Sequence, residues 1–135
     1  MAKNKTTETD INVSDFVNAL KGENNRKDSF RLIELIGKIT KLEPKMWGKS
    51  IIGFGTYHDT YDSGHEGDSP IVSFSPRAAA LTLYLPAFET REAFLKKLGK
   101  HKVSKGCVYI ATLEDVDLIV LEKLIQNHMK EVSKQ

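Results

Sequence analysis

A chain of 135 residues, 40% hydrophobic and 28% charged, has room for one domain with a real core and too little for two ordinary ones. A net charge of +2, with no arginine-rich tract and no interleaved aromatic platform, disfavours nucleic acid as a partner. No apolar run approaches the roughly 20 residues that span a bilayer, MAKNKTTETD lacks a signal-peptide core, and the single cysteine, Cys107, suits a reducing compartment; a cytoplasmic protein with no membrane partner is expected.

Residues 1–12 are polar and lack an apolar period, so they read as a flexible tail ahead of a domain of residues 13–135. Ser14 suits the N-cap of a short helix through DFVNAL, where Phe16, Val17 and Leu20 fall at helical spacing. A longer helix is expected from about Asn25 to Lys41. Its apolar stripe is drawn from Phe30, Ile33, Ile36 and Ile39 or Leu35 and Leu42, and Pro44 ends it.

From Trp47 the period changes. SIIGFGTYHDTY, PIVSFS and ALTLYLP carry the β-branched and aromatic residues of strands, with GHEGDSP and SPRAA as connecting loops. Leu81, Leu83 and Leu85 alternate with Thr82 and Tyr84, which predicts a strand with helices on its leucine side. Thr90 then caps REAFLKKL, Gly99 stops it, and GCVYIA supplies a further strand. A last helix is expected from Leu113 or Glu114, where the acids of EDVD favour the positive end of the dipole. Leu118, Leu121, Leu124 and Ile125 form its buried stripe. The order ααβββαβα describes an α+β single domain with an antiparallel sheet of four to five strands and helices on one face.

YHDTYDSGHEGDSP concentrates histidines and carboxylates. An EF-hand starting at Asp59 needs an oxygen ligand at Tyr61 and a glutamate at Pro70, and fails at both. A transition metal, iron included, needs converging ligands, which His58, His65 and Glu66 supply only if a hairpin brings them together. A solvated hairpin turn accounts for the same composition. Gly48-Lys49-Ser50 is no P-loop, because Glu43 stands where its first glycine belongs, and Gly53-Phe54-Gly55 opens no GxGxxG, because His58 occupies the third glycine.

Lys96, Lys97, Lys100, His101, Lys102 and Lys105 bracket a helix-to-strand turn. With Lys49 and Arg77 approaching from other loops, and Trp47 and Tyr84 as flat walls, Lys102 and Lys105 would hold a carboxylate or phosphate. Solvated surface lysines and core aromatics are the structural counterpart of that reading. Cys107 with His101 is the one nucleophile–base combination, and nothing in their spacing aligns them.

MWGKSIIGFGTYH, HEGDSPIVSFSPRAAALTLYL and KKLGKHKVSKGCVYIATLEDVD together resemble the YdhG-like family of bacterial domains, also described as frataxin-like or as iron chaperones. The resemblance runs from Val13 to Val132 and departs from the family pattern at Asp59, Thr60 and His65. It implies a compact α+β domain of the secretion-chaperone-like type and an iron-handling role. Three functions are therefore weighed. The first is a non-enzymatic binding module for a small anionic ligand or a protein segment. The second is an iron-binding chaperone, and the third an enzyme using His101 and Cys107. An exposed sheet face makes a homodimer an expected partner arrangement.

Overall fold

The computed structural model describes residues 8–9, 11–48, 50–60, 66–77, 80–85, 91–104 and 106–133. Lys49, His65, Thr90 and Lys105 lie outside them. In chain order the elements are β1 (Glu8–Thr9), α1 (Val13–Asn18), α2 (Glu23–Thr40), β2 (Pro44–Trp47), β3 (Ile51–Phe54), β4 (Tyr57–Thr60) and β5 (Glu66–Ser69). There follow β6 (Val72–Pro76), β7 (Leu81–Leu83), α3 (Arg91–Leu98), β8 (Lys102–Val103), β9 (Val108–Ile110), a 3-10 turn (Leu113–Asp115) and α4 (Leu118–Ser133).

The fold is mixed α+β, as expected, but the sheet is larger than four to five strands. Among the described residues seven strands pair in the order β1-β2-β3-β6-β7-β9-β8, and β4 and β5 form a separate two-stranded ribbon. Every pairing is antiparallel. Three of the extra strands are short or masked by their neighbours in sequence: β1 and β8 have two residues each, and β2 starts on a proline. Proline is tolerated as the first residue of a strand, so Pro44 ends the helical region and opens a strand at once. The strand expected to run unbroken from Ser50 to Tyr61 divides at Gly55, whose φ of +73° turns the chain out of the sheet into β4. Glu66–Ser69, expected as loop, pairs with β4.

The helix termini show why the boundaries moved. Asn12, rather than Ser14, caps α1, its side chain accepting the Asp15 N–H at 3.0 Å. Glu8–Thr9 and Asn12 thus tie part of the expected tail into the fold. α2 ends at Lys41, in the left-handed conformation with φ +59°, whose N–H donates to the Gly37 carbonyl at 2.8 Å. Its buried stripe is Asp28, Ser29, Leu32 and Ile36. Phe30 and Leu42 are each 38% exposed, Phe30 because it sits off that single face and Leu42 because it follows the helix's C-cap. The last helix starts later than expected. Thr112 caps the 3-10 turn, Val116 is extended and bridges Gly99, and Asp117 then caps α4 by accepting the N–H of Ile119 at 2.9 Å.

Side chains pack the helices against one face of the sheet. α2 contacts β3 and β6, α4 contacts α2, α3 and β6, and α1 lies between α2 and β2. Met46, Ile52, Phe74, Leu83 and Val108 are successive register partners across that face, and all are buried. Each contributes roughly 1.5–3 kcal/mol on full burial. Leu121, Leu124 and Ile125 close the core from α4.

Candidate functional site on the second sheet face

Period-two alternation decides what the other face carries. In β6, Val72, Phe74 and Pro76 point into the core, so Ser73 and Ser75 point away; in β7, Thr82 does the same. The registers extend this across the sheet. Lys45, Gly53 and Ser73 form one row, which Tyr84 continues by donating its backbone N–H to the Ser73 carbonyl at 3.1 Å. A second row links Trp47 to Ile51 and then Ser75, Thr82, Tyr109 and Lys102. From β2 to β8 no strand position of this face is an aspartate or glutamate. Glu8 stands beyond Trp47 at the β1 edge.

Four of the residues expected to bind an anion are therefore placed by one rule. Trp47, Tyr84 and Lys102 share the second face, and Arg77 follows β6 in the same alternation, exposed at the turn that its N–H closes on the Ala80 carbonyl at 3.0 Å. They do not line a single cavity. Trp47 on β2 and Lys102 on β8 are separated by five strand intervals, or about 24 Å at the usual inter-strand spacing.

The β2 end is built around Trp47. Its indole lies over Gly53, where an added Cβ would stand 2.5 Å from Cδ1 and 2.6 Å from Nε1, with Pro70 on the other flank. Trp47 is 2% exposed, so most of its surface serves packing. Its edge reaches an open groove of about 380 Å³ lined also by Lys41, Glu43 and Lys45.

The β8–β9 end is polar. The hydroxyls of Tyr109 and Ser104 are 3.2 Å apart, beside Lys102, which is the register partner of Tyr109. Ser104 is fixed on its backbone side as well, its carbonyl accepting from Arg91 Nη2 at 3.1 Å. Ser75 Oγ, near the middle of the second row, donates to the Ser50 carbonyl at 2.7 Å and is occupied.

For an enzyme, the combination to look for is His101 with Cys107. His101 Nδ1 lies 2.7 Å from the Gly99 carbonyl and so carries the proton there, and no hydrogen bond joins it to the half-buried Cys107. For a metal, the β4–β5 ribbon sets His58 opposite Asp68 and Glu66 opposite Thr60. Among the described residues no group of three histidine, cysteine or carboxylate side chains is placed to hold an ion.

Sequence reasoning missed Lys45, Ser73 and Ser75 as members of the face and Arg91 as its brace, while the alternation had already put Thr82 with Tyr84. The alternation in VSFSP already separated the two serines from the core residues. Nothing local marked Arg91, whose partners lie 6 and 13 residues away.

Among the described residues no helix is long and apolar enough to cross a membrane. Comparison with protein-family models, with curated proteins and with solved structures finds no match.

Proposed function

We propose that this chain is a small cytosolic, non-enzymatic binding module that takes an anionic small molecule on the second face of its sheet. The observation that carries this is the sorting of residues by register. Lys45 and Lys102 stand exposed near the two ends, Tyr84 and Tyr109 are partly accessible between them over a buried layer of Trp47, Ser73, Ser75 and Thr82, and no carboxylate interrupts the rows from β2 to β8. Flat rings offer apolar area, hydroxyls orient, and cations supply charge complementarity. The YdhG-like motifs quoted above accord with a compact α+β domain of this kind.

A thermal-shift screen of phosphorylated and carboxylated metabolites tests the proposal, since a ligand bound only by the native state raises its stability. The expected result is at least one stabilising anion whose effect falls in Lys45→Gln or Lys102→Gln. Stabilisation by none, or an effect untouched by either change, would refute it.

The iron-binding reading is second, and the register of His58 opposite Asp68 is what favours it. Ferrous-ion titration compared with His58→Ala is its test, and identical uptake by the two proteins would remove it.

A further inference from the structure

The β8–β9 end of the face is held by a buried cation, through the Ser104 carbonyl. Arg91 is 5% exposed; Nη1 donates to the Leu85 carbonyl at 2.7 Å, Nη2 to the Ser104 carbonyl at 3.1 Å, and Nε has no partner. Among the described residues no carboxylate pairs with it. Two carbonyls solvate a guanidinium without cancelling its charge, and a buried charge acts at longer range than an exposed one because less water screens it.

The Ser104 whose carbonyl Arg91 holds also pairs its hydroxyl with that of Tyr109, 3.2 Å apart. Either hydroxyl can be the donor of this pair, and both O–H groups rotate, so an anion that displaces their mutual bond receives both. Lys102, exposed and opposite Tyr109, brings a third donor group. Space over the Cα of Gly106 is open, with nothing within 4 Å of an added Cβ, so a ligand meets no wall there. Residues 91–107 carry six lysines and arginines against one acid, Glu92.

We infer that this corner holds the phosphate group of the ligand, with the Tyr109 and Ser104 hydroxyls and the Lys102 ammonium donating to its oxygens. Arg91 is a positioning residue that fixes Ser104 and supplies the field. The inference rests on the proposed role of the second face and names its ligand class. Phosphate is favoured over carboxylate because the donors are three separate groups spread around a point. The planar guanidinium fork that matches a carboxylate is already used on two backbone carbonyls.

The test is an amide-shift titration of the full chain, first with inorganic phosphate and then with phenyl phosphate, at ionic strength held constant with sodium chloride. Saturable shifts at Ser104, Gly106 and Tyr109 are expected with both, and phenyl phosphate adds shifts at Thr82 and Tyr84 if the site belongs to a monoester with a flat body. Inorganic phosphate binding alone, with no gain from the ring, identifies the free ion as the ligand. Tyr109→Phe removes one oxygen and leaves the packing, so folding is not at issue; it and Lys102→Gln should each weaken binding about tenfold. Lys27→Gln, exposed on α2 and no part of the face, should change nothing. A shift that grows linearly without saturating, or equal binding by Tyr109→Phe, overturns the inference. Saturable shifts confined to Lys45 and Trp47 also overturn it while leaving the face as the binding surface, which separates the two failures.

Discussion

Asp28 and Thr112, 84 positions apart, are joined by a 3.0 Å hydrogen bond from the threonine hydroxyl to Asp28 Oδ2, and the same oxygen accepts the Leu113 N–H at 3.0 Å. A buried carboxylate on α2 thus caps the 3-10 turn that leads into α4. Replacing Asp28 by alanine strands a buried N–H and a hydroxyl and should cost about 2–4 kcal/mol, since bonds to charged groups are worth roughly 1.5–3 kcal/mol each and are not additive. Asp28→Asn keeps an acceptor and should cost less. Urea unfolding of the three proteins checks the ranking, and an alanine variant as stable as the parent would contradict it.

His128 on α4 is buried, and its Nε2–H donates to the Ile71 carbonyl at 2.8 Å, next to the base of the β4–β5 ribbon. Desolvation lowers its pKa below the ordinary 6.5, with the Ile71 bond opposing. The unfolded chain therefore binds more protons than the folded one as pH falls below about 6.5. Stability should be full above that value, fall as pH drops through the window between the unfolded and folded pKa values, and level off beneath it. Denaturant midpoints at pH 7.5 and 5.5 should differ more for the parent than for His128→Gln, which keeps an N–H donor and does not titrate.

Gly53 leaves the space that the Trp47 indole fills, with an added Cβ 2.5 Å from Cδ1. Gly53→Ala should destabilise by about 1–3 kcal/mol through overpacking. Trp47 is the only tryptophan, so its emission reports the displacement directly, by a red shift as water reaches the ring. An unchanged spectrum and midpoint would show that the ring relaxes at no cost.

Arg91 binds the end of β7 to the β8–β9 turn through two carbonyls. Lysine has no planar fork and holds one of them at most. Arg91→Lys should lose about 1–2 kcal/mol, and hydrogen exchange should quicken at Ser104 before it does at β6. Uniform loss of protection across the sheet would instead mark a purely global effect.

Period was legible in the sequence and pairing was not. Leu81, Leu83, Thr82 and Tyr84 sorted themselves onto two faces by alternation alone, and α3 ended before Gly99 as expected. The two-residue strands β1 and β8 are too short to show a period, and Pro44 reads as a breaker although it opens β2. On α2 a count of apolar residues favoured Phe30 over Asp28. The burial of Asp28 depends on a partner at Thr112, which no local window contains. That Trp47, Tyr84 and Lys102 stand on one sheet face, with about 24 Å between its ends, follows only from the register and the strand order.

The seventh strand carries a further consequence. β8 is a sheet edge of only two residues, Lys102 and Val103, both exposed, with Val103 46% accessible. Short edges bearing lysine resist pairing with the edges of other molecules, because a second strand would have to bury the ammonium. Lys102 thus opposes edge-to-edge pairing as well as marking the polar corner. An aliphatic replacement would leave Val103 beside a bare row of backbone donors and acceptors, and light scattering should show such a variant joining edge to edge into larger species.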